Sequence, residues 1–416
     1  MTKQATEYSL ADFFLSESDD PLIPPEDFTR WRREAAWAMS LYEPALATAP
    51  SARTALVSEG APRPVINLSS HNFLGLVKHP ETIAAAQAAL AEFGTGACGS
   101  PILSGMTELH RRLEAHLSEF LGREATMLFN SGFGGAMGSL AGLLRKGDVA
   151  VIDSKAHLSL IAGVTLSQAK LRAFDHNDPD SLDEALARGK GRRLVILEGV
   201  YSMDGDMANL PALVEVAARH GAGIFIDEAH SILACGPNGR GVPERFGLED
   251  RIGLQYGTFS KAFAGVGGFV SGSRETIDYL RFYSTPYGFS CALPPSVVAA
   301  TLAGLDVTTR DNTLRERLWA NADYFRNQLQ ALGLNTGEST TYVIPIIIGD
   351  DRARLYELGR LTRERGLFLA PVDYPSVPQD QVRFRASVTA AHTREDLDEA
   401  LNIIEDTIVK RLRRAA

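Results

Sequence analysis

The sequence predicts an α/β fold: a large domain on a mainly parallel sheet, followed by a smaller α+β domain at the C-terminal end. Three observations predict it. From about residue 79 to 305, short apolar runs alternate with helical patterns, as in repeated βαβ units. The polar residues of chemical interest fall at or just after the carboxyl ends of those runs, where parallel sheets hold ligands. Beyond residue 305 the pattern changes to long helices separated by isolated strands. At 416 residues the chain is too long for one small core, so two or three domains are expected.

In order along the chain, residues 1–65 read as a mixed N-terminal arm, with a short helix at 11–15, a proline-bounded break at 21–25 and an amphipathic helix at 29–41. The large domain is placed at 66–305, entered through a strand at 65–68. Apolar residues at helical spacing mark helices at 80–93, 107–121, 135–144, 181–187, 211–220 and 274–282. Short apolar runs between them mark strands at 126–129, 149–153, 194–197, 223–227, 252–257 and 268–270. The small domain is placed at 306–416: a helix at 313–332, a strand at 342–348, a helix at 352–365, strands near 368–371 and 382–388, and a last helix from 393.

Composition narrows the function classes. Hydrophobic residues make up 45% and charged residues 22%, ordinary for a globular enzyme. The net charge of −9 argues against a nucleic-acid partner, which needs clustered Lys and Arg. The basic run Lys410-Arg411-Leu412-Arg413-Arg414 is short and reads as the last turn of a helix. Cys98, Cys235 and Cys291 are far apart and form no CxxC pair, so neither a disulfide framework nor a metal site is indicated. Residues 1–20 lack the pattern of a secretory signal, and no apolar stretch approaches the roughly 20 residues of a bilayer span. A reducing cytoplasm is the expected compartment.

The most informative stretch is Tyr256-Gly257-Thr258-Phe259-Ser260-Lys261, followed by Gly265-Val266-Gly267-Gly268. Upstream, Gly223-Ile224-Phe225-Ile226 ends in Asp227-Glu228-Ala229-His230. A carboxylate at a strand end and a lysine among hydroxyls and glycines are what pyridoxal phosphate (PLP) requires. The amine forms the Schiff base, and the acid keeps the pyridine nitrogen protonated so that the ring acts as an electron sink. Three further segments add to it. Ser131-Gly132-Phe133-Gly134 leads a strand into a helix whose first amides can bind phosphate. His157 follows another strand, where an imidazole can stack on an aromatic ring, although a lone histidine there is more often structural. Glu198-Gly199-Val200-Tyr201-Ser202 ends a third.

Competing motifs fail on context. Gly94-Thr95-Gly96-Ala97-Cys98-Gly99 matches GxGxxG but follows an alanine-rich helix rather than a strand, which rejects a dinucleotide site. There is no GxSxG, HExxH or GxxxxGK[ST].

Together these residues resemble the α-oxoamine synthases, fold-type-I PLP-dependent transferases that join an amino acid to an acyl thioester with loss of carbon dioxide. The resemblance runs from about 65 to 405. It is carried by Asn72-Phe73-Leu74-Gly75-Leu76, the 94–100 glycine cluster, Glu198-Gly199-Val200-Tyr201-Ser202-Met203-Asp204-Gly205-Asp206, Asp227-Glu228-Ala229-His230-Ser231, Gly257-Thr258-Phe259-Ser260-Lys261, Leu293-Pro294-Pro295 and Ala390-Ala391-His392-Thr393. Within the family, Gly236-Pro237-Asn238-Gly239-Arg240-Gly241-Val242 and Val266-Gly267-Gly268-Phe269-Val270 look most like bacterial serine palmitoyltransferase.

The resemblance implies roles. Lys261 would be the Schiff-base lysine and α-proton carrier, Asp227 the partner of the pyridine nitrogen and His157 the stacking residue. Ser202 and His230 would lie near the phenolic oxygen, and Gly132, Phe133 and Thr258 would hold the phosphate. Ser290 would reach the phosphate of a neighbouring subunit, implying a homodimer with shared active sites. Asn72 and Arg385 would bind substrate, Arg385 by gripping the amino-acid carboxylate, with Arg383 on the same strand face as a competitor. The implied reaction condenses L-serine with a long-chain acyl-CoA to a 3-ketodihydrosphingosine-like aminoketone. Alanine or glycine, or an acyl carrier protein thioester, is the alternative. An aminotransferase or aldolase of the same fold is the reading from another class. Pro101, Met106 and Ala162 depart from the family pattern and bear on substrate choice, and the N-terminal arm is a candidate for peripheral membrane contact.

Overall fold

A computed structural model describes residues 8, 10–14, 16, 18–37, 43–57 and 61–415. The chain forms two compact units, one of residues 1–73, 203–205 and 317–416, the other of 74–202 and 206–316.

The first unit opens on a 3₁₀ turn, Leu10–Phe13, and a helix, Glu26–Trp31, that continues as a wider π turn, Arg32–Trp37. The helix expected at 29–41 therefore starts earlier; residues 38–41, and residue 15 of the expected first helix, lie outside the described residues. Tyr8, Trp31 and Ala35 are buried there, with Phe13 and Phe28 packed against them. Strand β1 (Arg53–Leu56) pairs antiparallel with β2 (Arg63–Asn67).

The second unit carries the main sheet: β3 (Ala125–Phe129), β4 (Val149–Asp153), β5 (Lys170–Phe174), β6 (Arg193–Glu198), β7 (Gly223–Asp227), β8 (Leu254–Thr258) and β9 (Gly268–Gly272). Its order is β3-β9-β8-β7-β6-β4-β5. Only β9 runs antiparallel to its neighbours, so the sheet is mainly parallel as expected. Strands β3, β4, β8 and β9 are buried along their whole length, and β6 and β7 over their last four residues, which is why they read as continuous apolar runs. β5 lies at the edge, and four of its five residues keep some exposure.

Helix Gly132–Leu143 packs on helix Leu158–Ser167 so closely that a Cβ on Gly163 would come within 2.7 Å of the Met137 carbonyl oxygen. Helix Pro80–Phe93 starts with proline in its first turn and stops at Gly94, whose φ is 77°.

The rest of the first unit comprises β10 (Val343–Gly349), β11 (Leu367–Phe368), β12 (Ala370–Val372) and β13 (Val382–Ser387). β11 adds parallel to β2, and β13 lies between β10 and β12, antiparallel to both. Helices Arg352–Glu364 and Arg394–Ile404 belong to this unit, as does helix Thr313–Ala331 from residue 317 onward. Among the described residues, no helix is long and apolar enough to cross a membrane.

Candidate active site

The glycines after Lys261 shape its loop. Phe259 N–H donates to the Gly267 carbonyl at 2.9 Å, Gly265 N–H to Phe259 at 2.7 Å and Ala264 N–H to Lys261 at 2.8 Å. The Thr258 hydroxyl closes the same turn on Gly267 at 2.9 Å. Gly267 has φ 106°, and a Cβ there would lie 2.6 Å from the Phe129 carbonyl oxygen, so only glycine fits. Lys261 is thereby held half-buried beyond the carboxyl end of β8.

Its charge acts on three groups at neighbouring strand ends: Asp227, the last residue of β7, Glu198, the last of β6, and His157, just after β4. Asp227 is 5% exposed. Burial pushes its carboxyl up to about 6, opposed by the Ala229 N–H, which donates to Oδ1 at 2.8 Å, and by Lys261. Glu198 is buried and stands in register with Asp227. Burial first, then the Asp227 charge, raise it well above the usual carboxylate range. Its Oε1 accepts the His157 amide at 2.5 Å.

The His157 side chain caps helix Leu158–Ser167, with Nδ1 2.8 Å from the Ser159 hydroxyl. Surrounding protein and then the Lys261 charge lower its pKa, favouring a neutral ring. The residue is exposed, and its ring centroid lies 6.2 Å from that of Phe133, at 73°.

Phe133 and Gly132 open helix Gly132–Leu143. The Ser131 hydroxyl accepts Gly134 N–H at 3.2 Å, and Tyr256 Oη donates to the Gly132 carbonyl at 2.7 Å. A Cβ on Gly132 would meet Thr258 Oγ1 at 2.5 Å and Tyr256 Oη at 3.1 Å. The helix start is thus pressed onto the end of β8, bringing its amides beside a hydroxyl. Ser202 is half-buried in the loop after β6, and His230 is buried in the loop after β7.

An amine, a buried carboxyl, an exposed imidazole and a helix start beside a hydroxyl fit PLP.

The other expected residues stand elsewhere. Ser290 is half-buried between helices Thr285–Gly288 and Pro295–Arg310, next to the exposed Phe289. Asn130 Nδ2 fixes that loop by donating to the Cys291 carbonyl at 2.8 Å. Asn72 and Arg385 belong to the other unit, where Asn72 is buried and its N–H donates to the Ser70 hydroxyl at 3.2 Å. Arg383 donates to Asp204, Met203 and Gln381, whereas Arg385 Nη1 lies 3.8 Å from the Met203 sulfur. Of the departures, Pro101 and Met106 line a small recess with His110 and Leu293, and Ala162 is half-buried in helix Leu158–Ser167.

Two groups were not singled out from the sequence. Glu198 was legible only as a strand-end acid within a motif. The buried Asp153 and Asp206 clamp the half-buried His176, with His176 Nδ1 2.9 Å from Asp153 and Nε2 2.7 Å from Asp206. Their separation in sequence hid this arrangement.

The model of the aminotransferase class I and II family matches residues 63–404. An 8-amino-7-oxononanoate synthase of Thermoanaerobacter pseudethanolicus is 41% identical over 85% of this chain and 91% of its own length. One from Symbiobacterium thermophilum is also 41% identical, over 82% and 87%. Among solved structures, the serine palmitoyltransferase of Sphingomonas wittichii has a TM-score of 0.88 at 33% identity, covering 94% of this chain and 98% of that one. The chain belongs to the α-oxoamine synthases, PLP-dependent acyltransferases within the class I and II aminotransferase family.

Proposed function

We propose that this chain condenses a small amino acid, alanine as first choice, with an acyl thioester, and releases carbon dioxide and free thiol. The observation that carries this choice is the pair of 41%-identical relatives named 8-amino-7-oxononanoate synthase. In the product of that name, the terminal carbons bear a methyl and an amine, which is alanine without its carboxylate. The remaining seven carbons are a dicarboxylic acyl unit ending in a free carboxylate. The donor's carrier, coenzyme A or an acyl carrier protein, is open within this reading. Serine with a long-chain acyl-CoA is the second reading, favoured by the likeness to serine palmitoyltransferase.

Bound PLP supplies the sink for carbanion charge at the amino-acid α-carbon. Lys261 would hold the cofactor through its aldehyde carbon. The Lys261 amine would also be the base that removes the α-proton of the amino acid. The α-carbon would then bond to the thioester carbonyl carbon as the C–S bond breaks, and the sulfur would leave as thiolate and take a proton from solvent to become free thiol. Loss of the carboxylate as carbon dioxide leaves the α-carbon to take back one proton from Lys261. Asp227 would place its negative charge at the pyridine nitrogen, and His157 would cover the ring. Gly132, Phe133 and Thr258 would hold the phosphate, with Ser202 and His230 near the phenolic oxygen. Arg385 would bind the substrate carboxylate with its fork of N–H donors, beside Asn72. A homodimer is part of this proposal, Ser290 reaching the partner's phosphate. Exposed Phe282, Tyr283 and Phe289, close to Ser290 in sequence, support such an interface.

A panel of alanine, glycine and serine against dicarboxylic and long-chain acyl thioesters, read by free thiol, tests the choice. Alanine with the dicarboxylic donor is expected to be fastest. Serine with a long-chain donor leading the panel would replace the first reading by the second.

A further inference from the structure

Strands β6 and β7 end side by side, and each ends in an acid: Glu198 is in register with Asp227. The two residues are 3% and 5% exposed. Like charges this close and this shielded do not both ionise without a large cost. The facing groups divide them unequally. Glu198 faces Asp227 and Asp153 as well as Lys261, with the Tyr201 and Tyr256 side chains close enough to feel its charge. Asp227 faces Glu228 and Tyr256 as well, but it also faces Lys261 and accepts the Ala229 amide at 2.8 Å.

The main chain around Glu198 is also fixed. Gly199 N–H donates to the Asp227 carbonyl at 2.8 Å, and a Cβ on Gly199 would meet Glu228 Oε1 at 2.3 Å. From this rigid place Glu198 Oε1 accepts the His157 N–H at 2.5 Å, at the start of the helix that His157 caps.

We propose that Glu198 is a positioning residue of the PLP site. As an uncharged carboxyl it anchors the His157 main chain and leaves the single negative charge of the pair on Asp227. The inference rests on the assignment of Asp227, His157 and Lys261 as PLP residues. Its consequence is a division of labour between two adjacent acids. Asp227 supplies charge to the ring nitrogen, and Glu198 sets the height of the imidazole over the ring without adding a second charge that would compete for the same proton.

The test uses the full-length protein and two readouts other than turnover: PLP affinity of the apoprotein, and the pH midpoint of the Lys261-dependent visible absorbance band. Glu198→Gln keeps an acceptor oxygen and carries no charge, so both readouts should stay at the wild-type values. Glu198→Ala removes the anchor and should weaken PLP binding about tenfold. His157→Ala added to it should weaken binding no further than His157→Ala alone. A band midpoint displaced by about one pH unit in Glu198→Gln would show a charged Glu198 and overturn the proposal. So would wild-type PLP affinity in Glu198→Ala, or fully additive losses with His157→Ala. If Glu198→Ala does not fold, Glu198→Met takes its place in the affinity measurement, and Glu198→Gln still decides the charge. A wild-type protein without any Lys261-dependent band would instead sink the underlying assignment of the PLP residues, a separate result.

Discussion

Arg383 Nη1 donates to Asp204 Oδ1 at 2.9 Å from a guanidinium that is 1% exposed. Its other donors reach the Met203 carbonyl at 3.2 Å, the Gln381 carbonyl at 3.0 Å and Gln381 Oε1 at 2.9 Å. Such a fully engaged arginine braces the loop that carries Met203 and Asp204. Two residues along β13, Arg385 is only partly buried, and burial lowers its guanidinium to about 10.

The two arginines should therefore separate stability from substrate binding. Arg383→Met removes the hydrogen bonds to the half-buried Asp204 carboxylate and to Met203 and should cost roughly 1.5–3 kcal/mol of unfolding free energy. Arg385→Lys loses the planar fork and should raise the amino-acid KM about tenfold, with little change in the denaturation midpoint. The reverse pattern would return Arg383 to the substrate role.

Gly205 gives a sharper packing test. Its φ is 70°, and a Cβ there would lie 1.7 Å from the Val343 carbonyl oxygen. Its own carbonyl accepts the Thr341 hydroxyl at 2.8 Å and the Thr340 and Thr341 N–H groups at 3.1 Å. Gly205→Ala adds a left-handed strain of roughly 1–3 kcal/mol to a backbone clash. It should yield little folded protein, as read by soluble expression and denaturant unfolding. An unchanged unfolding midpoint would contradict this packing.

The cluster around His176 predicts a pH dependence of stability. Burial alone would lower this imidazole, but the Asp153 and Asp206 hydrogen bonds and charges outweigh it and raise its pKa from 6.5 to about 9. A raised folded-state pKa means the contribution is fully present below about 6.5 and is lost as pH rises through about 9. The contribution is on the order of 3 kcal/mol. Unfolding measured from pH 6 to 10 should show this loss, and His176→Gln should flatten it. A wild-type curve that rises over that range and is unaltered by His176→Gln would contradict the assignment.

Much of the fold was legible because buried strands and capped helices carry local signals. Strand 149–153 and helix 80–93 were read with the bounds the structure gives. Helix Leu158–Ser167 was not: its run of Leu, Ile, Val and Thr is apolar on all sides, and periodicity does not separate that from a strand. Edge strand β5, with Lys170 and Arg172 among its residues, resembles a loop. The parallel pairing of β2 with β11 spans about 300 residues and leaves no local trace. Within the site, motif order pointed to Lys261, Asp227 and His157, because each follows a strand end. The Arg383 and Arg385 alternatives stayed open in the sequence, since period-2 spacing gives both the same face.

Decarboxylative condensation at Lys261 would release carbon dioxide and free thiol together. Its most direct measurement follows carboxyl-labelled alanine with a dicarboxylic acyl thioester and counts labelled carbon dioxide against free thiol. One carbon dioxide per thiol is expected from the wild-type protein, and neither product from Lys261→Ala. Amino-group transfer without carbon dioxide, or thiol release that persists in Lys261→Ala, would contradict it.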